Sequence, residues 1–382
     1  MLILVNPFGL SSPGGGPRIF RSLLQDAPKE WISVCSSPQA QPQIKNGDEI
    51  HLPIRRGFGR LDHSRFGKYL YVLEKQGQQK FERKLTDICR QNQATGIHGL
   101  AHTMDFWYAY RVSKSLNLPY YLTVHDDLGY ALKGQLSLKQ GMACLSEVWN
   151  GSAARFVISN AMGDEYCRRY GKQPYTVVTD GLTASESSPL PRPTRSMRVY
   201  FMGAVHMTYE NNFHALYSAL QKFKKEHSDW NVSLTIRGGT GFQFRPNDVP
   251  INLLPWGSES EVAQDLEEAD FLYLPLPFDE GCDSFVRYSL STKMVTYLGS
   301  GLPILYHGPI HAAANHLLAQ HHAAIGLYSL SESDLQQSLE NATDVREQVV
   351  NNAIVLGQQQ FSLSRIQNQF WSQIGLSGVL TS

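Results

Sequence analysis

The sequence predicts an α/β protein of two Rossmann-like domains, and three observations carry that expectation. Short apolar runs rich in β-branched and aromatic residues alternate with helix-length segments along most of the 382 residues, the rhythm of parallel sheets built from βα units. A chain of this length exceeds one ordinary core and suits two. The rhythm breaks at residues 186–195 (ESSPLPRPTR), where prolines 189, 191 and 193 stiffen a polar connection, and it restarts beyond them. The expected partition is a first domain over 1–190, a second over 191–358, and a terminal helix over 359–382 that packs back on the first domain. The two sheets are expected to face each other across a cleft.

Each element follows in order. Residues 2–5 read as a buried strand, and the loop 11–17 (SSPGGGP) supplies Gly14, Gly15 and Gly16. Without a Cβ these allow the backbone close to a ligand or a neighbouring loop, and Gly15 and Gly16 are candidates for donor phosphates. A helix is expected from Arg18 and a strand at 31–35. Residues 38–60 carry no assignable pattern, 69–73 fit a strand or the start of a helix, and 76–93 read as a solvated helix or loop. Order returns with a strand at 95–98, a helix at 103–116, and the β-type run YYLTV at 120–124, which ends in His125, Asp126 and Asp127. A strand at 155–158 leads to Ser159 as N-cap of a helix stopped by Gly171, then a strand at 175–178. In the second half, strands are expected at 198–202, 230–236 and 251–254, and helices at 212–225 and 258–268. Ser258 and Glu261 have the spacing of a capping box. A strand at 271–274, a helix at 289–300 and a strand at 302–306 come next. They are followed by a helix to Gln320, a strand at 325–327, and helices from Ser331 and Asp344. Phe361, Ile366, Phe370, Trp371 and Ile374 recur at roughly helical spacing, so the last helix must bury a face.

Composition narrows the function. Thirty-four basic side chains balance 34 acidic ones, with no basic run or arginine-rich arm, so nucleic acid is not an expected partner. The five cysteines are isolated and odd in number, which favours reduced thiols. Residues 1–5 have no basic segment before them and no stretch approaches 18 apolar residues, so a cytoplasmic protein is expected, with peripheral contact at the inner face of a membrane left open. The oligomeric state is not legible.

The chemistry concentrates in residues 269–308, a strand–loop–helix–strand unit of a parallel sheet. Ligands bind such sheets beyond the carboxyl ends of the strands. The loop holds Asp279, Glu280, Gly281 and Asp283; Ser291, Thr292 and Lys293 open the helix behind it. Hydroxyls and a cation near free backbone N–H groups suit a phosphate, and a carboxylate suits a polyhydroxylated sugar. The unit therefore reads as a site for a sugar joined to phosphate. Arg237, directly after a strand, and Lys293 are the cations chosen for a diphosphate, with Arg287 less well placed. Trp256 is placed either at a base pocket or in core or rim packing. His98 and His102 are four residues apart, but His98 falls at a strand end and no Glu-x-x-His completes a set, so no metal site is expected. The histidines at 307, 311, 316, 321 and 322 fit no ligand spacing.

Taken in order, IHGL, YLTVHD, FVISNAMGDEYCRRYG and VVTDGL in the first half resemble retaining GT-B glycosyltransferases of glycosyltransferase family 4, the group 1 type. So do VYFMGAV, LTIRGG, the 251–281 segment and STKMVTYLGSGLPIL in the second. That resemblance implies a nucleoside diphosphate sugar held mainly by the second domain, an acceptor approached from the first, and no metal or other cofactor. It implies a hexosyltransferase acting in polysaccharide, glycolipid or other glycoconjugate assembly. It makes His125 a donor-sugar or reaction-centre histidine and Glu280 the first carboxylate of the family's Glu-x7-Glu pair, both catalytic candidates. His98, Asp126 and Asp127 are the acceptor-side candidates. The second carboxylate position is Thr296, which offers a ribose one neutral hydroxyl. In the phosphate clamp Gly203 is kept, but Ala204, Val205 and His206 follow where an arginine is usual. Two other functions stay open: a catalytically weak or inactive sugar-binding or scaffold protein, and a sugar-nucleotide epimerase or hydrolase.

Overall fold

The computed structural model describes residues 1–37, 49–54, 67–133, 138–183, 195–203, 205, 207–238 and 248–376. The expected connection at 186–195 lies outside the described residues except for Arg195, as do most of 38–60, Ala204 and His206. The chain divides into two compact units, Met1–Thr179 with Ile366–Ser382, and Asp180–Arg365.

In the first unit, short β-branched and aromatic runs form strands because both faces are covered by helices. The order is β1 (Leu2–Asn6), α1 (Gly15–Leu24), β2 (Trp31–Cys35), β3 (Glu49–His51), α2 (Gly67–Gln91), β4 (Gly96–Leu100), α3 (Asp105–Ser115) and β5 (Tyr120–Val124). Then come α4 (Leu128–Ala131), α5 (Leu138–Gly151), β6 (Ala154–Val157), α6 (Asn160–Tyr170) and β7 (Thr176–Val177). The sheet order is β3-β2-β1-β4-β5-β6-β7, with every pairing parallel. The order reverses between β1 and β4, which puts a switch point beside the carboxyl ends of those strands. Leu4 pairs with His98, and Thr123 with Phe156. Asn6, His98, Thr123, His125 and Phe156 therefore share one face.

In the second unit the elements are β8 (Ser196–Met202), α7 (Glu210–Glu226), β9 (Asn231–Arg237), β10 (Ile251–Leu254), α8 (Glu259–Glu268), β11 (Phe271–Pro275) and α9 (Asp283–Tyr288). They continue with α10 (Thr292–Leu298), β12 (Ile304–His307), α11 (Ala313–Gln320), β13 (Ile325–Leu327) and α12 (Glu332–Phe361). Its parallel sheet has the order β10-β9-β8-β11-β12-β13, with the switch point between β8 and β11. One face packs Val199, Phe201, Leu234, Phe271 and Tyr273 against Phe213, Leu216 and Leu220 of α7 and Leu335 and Leu339 of α12.

The last helix, α13 (Leu363–Leu376), follows α12 across a break at Ser362, and from Ile366 onward it belongs to the first unit, as its apolar spacing predicts. Trp371 Nε1 donates to Leu23 O at 2.8 Å and Gln367 Nε2 to Ser22 O at 2.9 Å, satisfying carbonyls at the end of α1. Phe370 is buried against Phe156 and His98.

Several local expectations change. The run at 69–73 is helical, inside α2, because the neighbouring polar segment continues the same helix. The helix expected over 289–300 starts at Thr292; α9 precedes it, and Ser291 caps the new start by accepting from Lys293 N. The helices expected from Ser331 and Asp344 are one continuous helix, since no Pro or Gly interrupts 332–356. β3, α4 and α5 have no counterpart in the sequence reading. Ser159 and the Ser258–Glu261 box cap their helices as expected.

Candidate functional site

In the second unit, three candidate residues, Gly203, Lys293 and Trp256, come together with Gly238 at the carboxyl ends of β8 and β9 and the start of α10. β8 runs out into Gly203, whose φ of 117° is open to glycine and strained for other residues. A Cβ there would lie 3.1 Å from Lys293 Cδ and 3.2 Å from its Nζ, so the lysine stem lies along the glycine backbone. Gly238, with φ of 83°, closes on Gly203 from the end of β9. A Cβ on it would meet Gly203 O at 3.1 Å and the Trp256 ring at 3.4 Å. Trp256 itself is 58% exposed.

Lys293 has no carboxylate partner among the described residues. Its Nζ lies 5.3 Å from the centroid of the Phe201 ring, a contact that is attractive but weaker than hydration of the ammonium. Burial pushes its ammonium down to about 8. Such an amine gains most from an anionic ligand.

Arg237 has a different environment. It is buried, and its Nη2 donates to Asp265 Oδ1 at 2.9 Å while Nε donates to Oδ2. Tyr200 OH also donates to Asp265, at 2.9 Å. The paired carboxylate raises the Arg237 guanidinium above its usual range. Its charge is thus matched within the protein, and its stem packs under Gly257. Arg287 is likewise paired, to Asp283 at 2.6 Å, and Asp283 meets His311 at 3.0 Å.

Glu280 and Gly281 lie on a 3-10 turn, Glu280–Cys282, at the mouth of β11, the strand beside β8. Both are exposed. Asp279 caps the turn, accepting from Gly281 N at 2.6 Å. The loop is held from below by Asn212, whose Nδ2 donates to Leu276 O at 3.0 Å and His307 O at 3.1 Å. His307 is buried with Nδ1 2.6 Å from Tyr273 OH, and burial lowers it to about 4. Ser291 is occupied as an N-cap and Thr296 Oγ1 donates to Thr292 O at 3.3 Å, so both hydroxyls already have backbone partners; Thr292 is half-buried at the first position of α10.

In the first unit, His125 follows β5 directly. Its ring packs 5.6 Å from Phe20, and Nε2 is buried without a hydrogen-bond partner among the described residues. Burial first, then the charge of His102, push it down to about 3. His125 is therefore a neutral imidazole at physiological pH. His98 is fully buried in β4 rather than at its end, hydrogen-bonded to Thr123 Oγ1 at 2.7 Å, and lowered to about 3 by burial. Asp127 is buried and ion-paired with Arg169 at 2.7 Å. Asp126 stays partly exposed, 3.9 Å from His102. Gly15 opens α1, and Gly16 gives Phe8 room to pack, since a Cβ would meet that ring at 2.8 Å.

Sequence reasoning missed Asp265, Phe201 and Asn212. Glu261 and Asp265 form an i, i+4 acidic stripe on α8, the one visible sign that Arg237 had a partner. Phe201 and Asn212 read as ordinary core and helix residues. Among the described residues no group of three His, Cys, Asp or Glu could hold a metal ion, and no helix is long and apolar enough to cross a membrane.

Neither a protein-family model nor a curated protein sequence matches the chain. Solved structures do. HepE of Anabaena, in complex with UDP and glucose, is similar at TM-score 0.68 and 12% identity, with 98% of this chain and 99% of that one covered. The α,α-trehalose 6-phosphate synthase of Burkholderia multivorans is similar at TM-score 0.67 and 12% identity, covering 100% and 99%. A trehalose-6-phosphate synthase studied with bisubstrate glycomimetics for glycosyltransfer with retention is similar at 0.65 and 10%, covering 98% of each chain. The shared feature is the GT-B fold.

Proposed function

We propose that the protein is a glycosyltransferase that moves a sugar from a nucleoside diphosphate sugar to a hydroxyl acceptor, with retention at the anomeric carbon. The observation that carries this reading is Lys293: a desolvated amine with no carboxylate partner among the described residues, set against the positive-φ Gly203, which Gly238 backs, at the switch point of the second sheet. In a GT-B fold that is where an anionic donor would sit. UDP and glucose in HepE, and the glycosyl transfer of the trehalose-6-phosphate synthases, support the same donor class.

In this reading the anomeric C–O bond breaks, and the electron pair leaves with the diphosphate. Lys293 and the backbone of Gly203 and Gly238 offset the charge that develops there. Trp256 borders the base, and Glu280 with Gly281 contacts the sugar. Arg237, already balanced by Asp265, shapes the loop rather than meeting phosphate. The acceptor oxygen attacks the same face, and its proton passes to the departing phosphate oxygen. His125 contributes as a neutral hydrogen-bonding imidazole. The cationic work is done by side chains, so we place no metal in the cycle. Thr296 gives a looser hold on a ribose than a carboxylate does. The setting is glycan or glycoconjugate assembly, of the family 4 type that the ordered motifs resemble.

A thermal-shift panel of nucleoside diphosphates and their sugars, followed by a donor-turnover assay on the best binder with and without a chelator, tests the reading. The expected result is a nucleotide-dependent shift, turnover insensitive to the chelator, and loss of the shift in Lys293→Ala. No shift with any nucleoside diphosphate would remove it.

A further inference from the structure

One feature of the first unit is not used by the donor chemistry. The turn after β4 is held by a buried carboxylate: Asp105, only 2% exposed, accepts from Ser36 Oγ at 2.5 Å and from Thr103 Oγ1. Ala101 N donates to Thr123 O at 2.9 Å and closes the turn on β5. Burying a carboxylate is costly unless its oxygens are well bonded, so the turn is rigidly specified. What it displays is His102, 42% exposed, 3.9 Å from Asp126 at the end of the adjacent strand. Both stand beside the buried neutral His125, whose proton affinity burial and then His102 depress.

We propose that His102 and Asp126 form the acceptor-recognition pair of the first unit and that the acceptor is an uncharged polyhydroxyl compound, such as a saccharide, rather than a phosphorylated one. This rests on the glycosyltransferase reading for its place in a reaction, but the site belongs to the first unit alone. A carboxylate accepts from two neighbouring hydroxyls of a sugar, and an imidazole either donates to or accepts from a third. A phosphate group would meet Asp126 with like charge. Arg169, a cation near this strand end, is engaged by Asp127 at 2.7 Å and by Glu165. The pair therefore selects for hydroxyls and against dianions.

The test is saturation-transfer NMR on the whole chain without donor, using glucose, galactose, mannose, N-acetylglucosamine and glucose 6-phosphate as probes. At least one neutral hexose is expected to bind, and glucose 6-phosphate more weakly than glucose. Asp126→Asn and His102→Gln are expected to weaken the neutral sugar about tenfold, the loss of a charge-assisted hydrogen bond. Both side chains are partly exposed, and unchanged circular dichroism spectra establish folding. Glucose 6-phosphate binding as well as glucose, no hexose binding, or unchanged binding in both variants would overturn the proposal. Nucleoside diphosphate binding by wild type and Lys293→Ala on the same samples separates the two readings. Hexose binding without nucleotide binding refutes only the donor reading. Nucleotide binding with hexose binding indifferent to Asp126 refutes only the acceptor pair.

Discussion

Lys293 and the two buried histidines are opposite cases of one physical effect. Desolvation disfavours the charged form of each; Lys293 still keeps its charge at neutral pH, whereas His98 and His125 do not. We expect Lys293→Ala to weaken nucleoside diphosphate binding about tenfold or more, measured by calorimetry. Binding to wild type should also decline above about pH 8, as the amine loses its proton. A pH-independent affinity between 7 and 9.5 would remove the lysine from the site. The histidines make an acid prediction. Their folded values, near 3, lie below the unfolded value near 6.5. The unfolded chain therefore binds more protons between those limits, and stability present above about pH 6.5 is lost as pH falls. Each contributes a slope on the order of 1 kcal/mol per pH unit below 6. Urea unfolding at pH 7.5, 6 and 5 measures it, and equal midpoints would contradict the buried neutral state. At this scale the sequence shows residue types but not their environments. The pairing of Arg237 with Asp265 depends on how α8 lies against β8 and β9.

Elements were legible where periodicity and caps agreed. The Ser258–Glu261 box is visible as a spacing and forms as one, so Ser258→Ala should cost about 1 kcal/mol in urea unfolding. The break between α9 and α10 was not legible, because 283–300 contains no proline and no glycine before 299; the stop is set by Ser291 turning its hydroxyl to the Lys293 amide. That small break is what brings Lys293 to Gly203. Gly203→Ala would place a Cβ 3.1 Å from the Lys293 stem on a backbone strained for alanine. We expect it to lower nucleotide affinity with less effect on folding than a core substitution. Nucleotide affinity equal to wild type would show that this close approach is immaterial.

For the whole molecule, the two parallel sheets and the return of the last helix to the first unit were readable from strand runs, loop prolines and the apolar face of residues 361–374. Truncating that face by Trp371→Ala should cost about 3–5 kcal/mol in the first unit, since the ring is buried and bonded to Leu23 O. An unfolding midpoint unchanged from wild type would contradict that packing. Strand order was not readable, because it depends on which crossovers reach past a neighbour. The central claim is that the second unit holds an activated sugar by its diphosphate at Lys293. A crystal structure with a bound nucleoside diphosphate tests it most directly. Phosphate oxygens within hydrogen-bond distance of Lys293 Nζ, with the base alongside Trp256, is the expected result; a diphosphate bound elsewhere, with Lys293 still resting on Phe201, would contradict it.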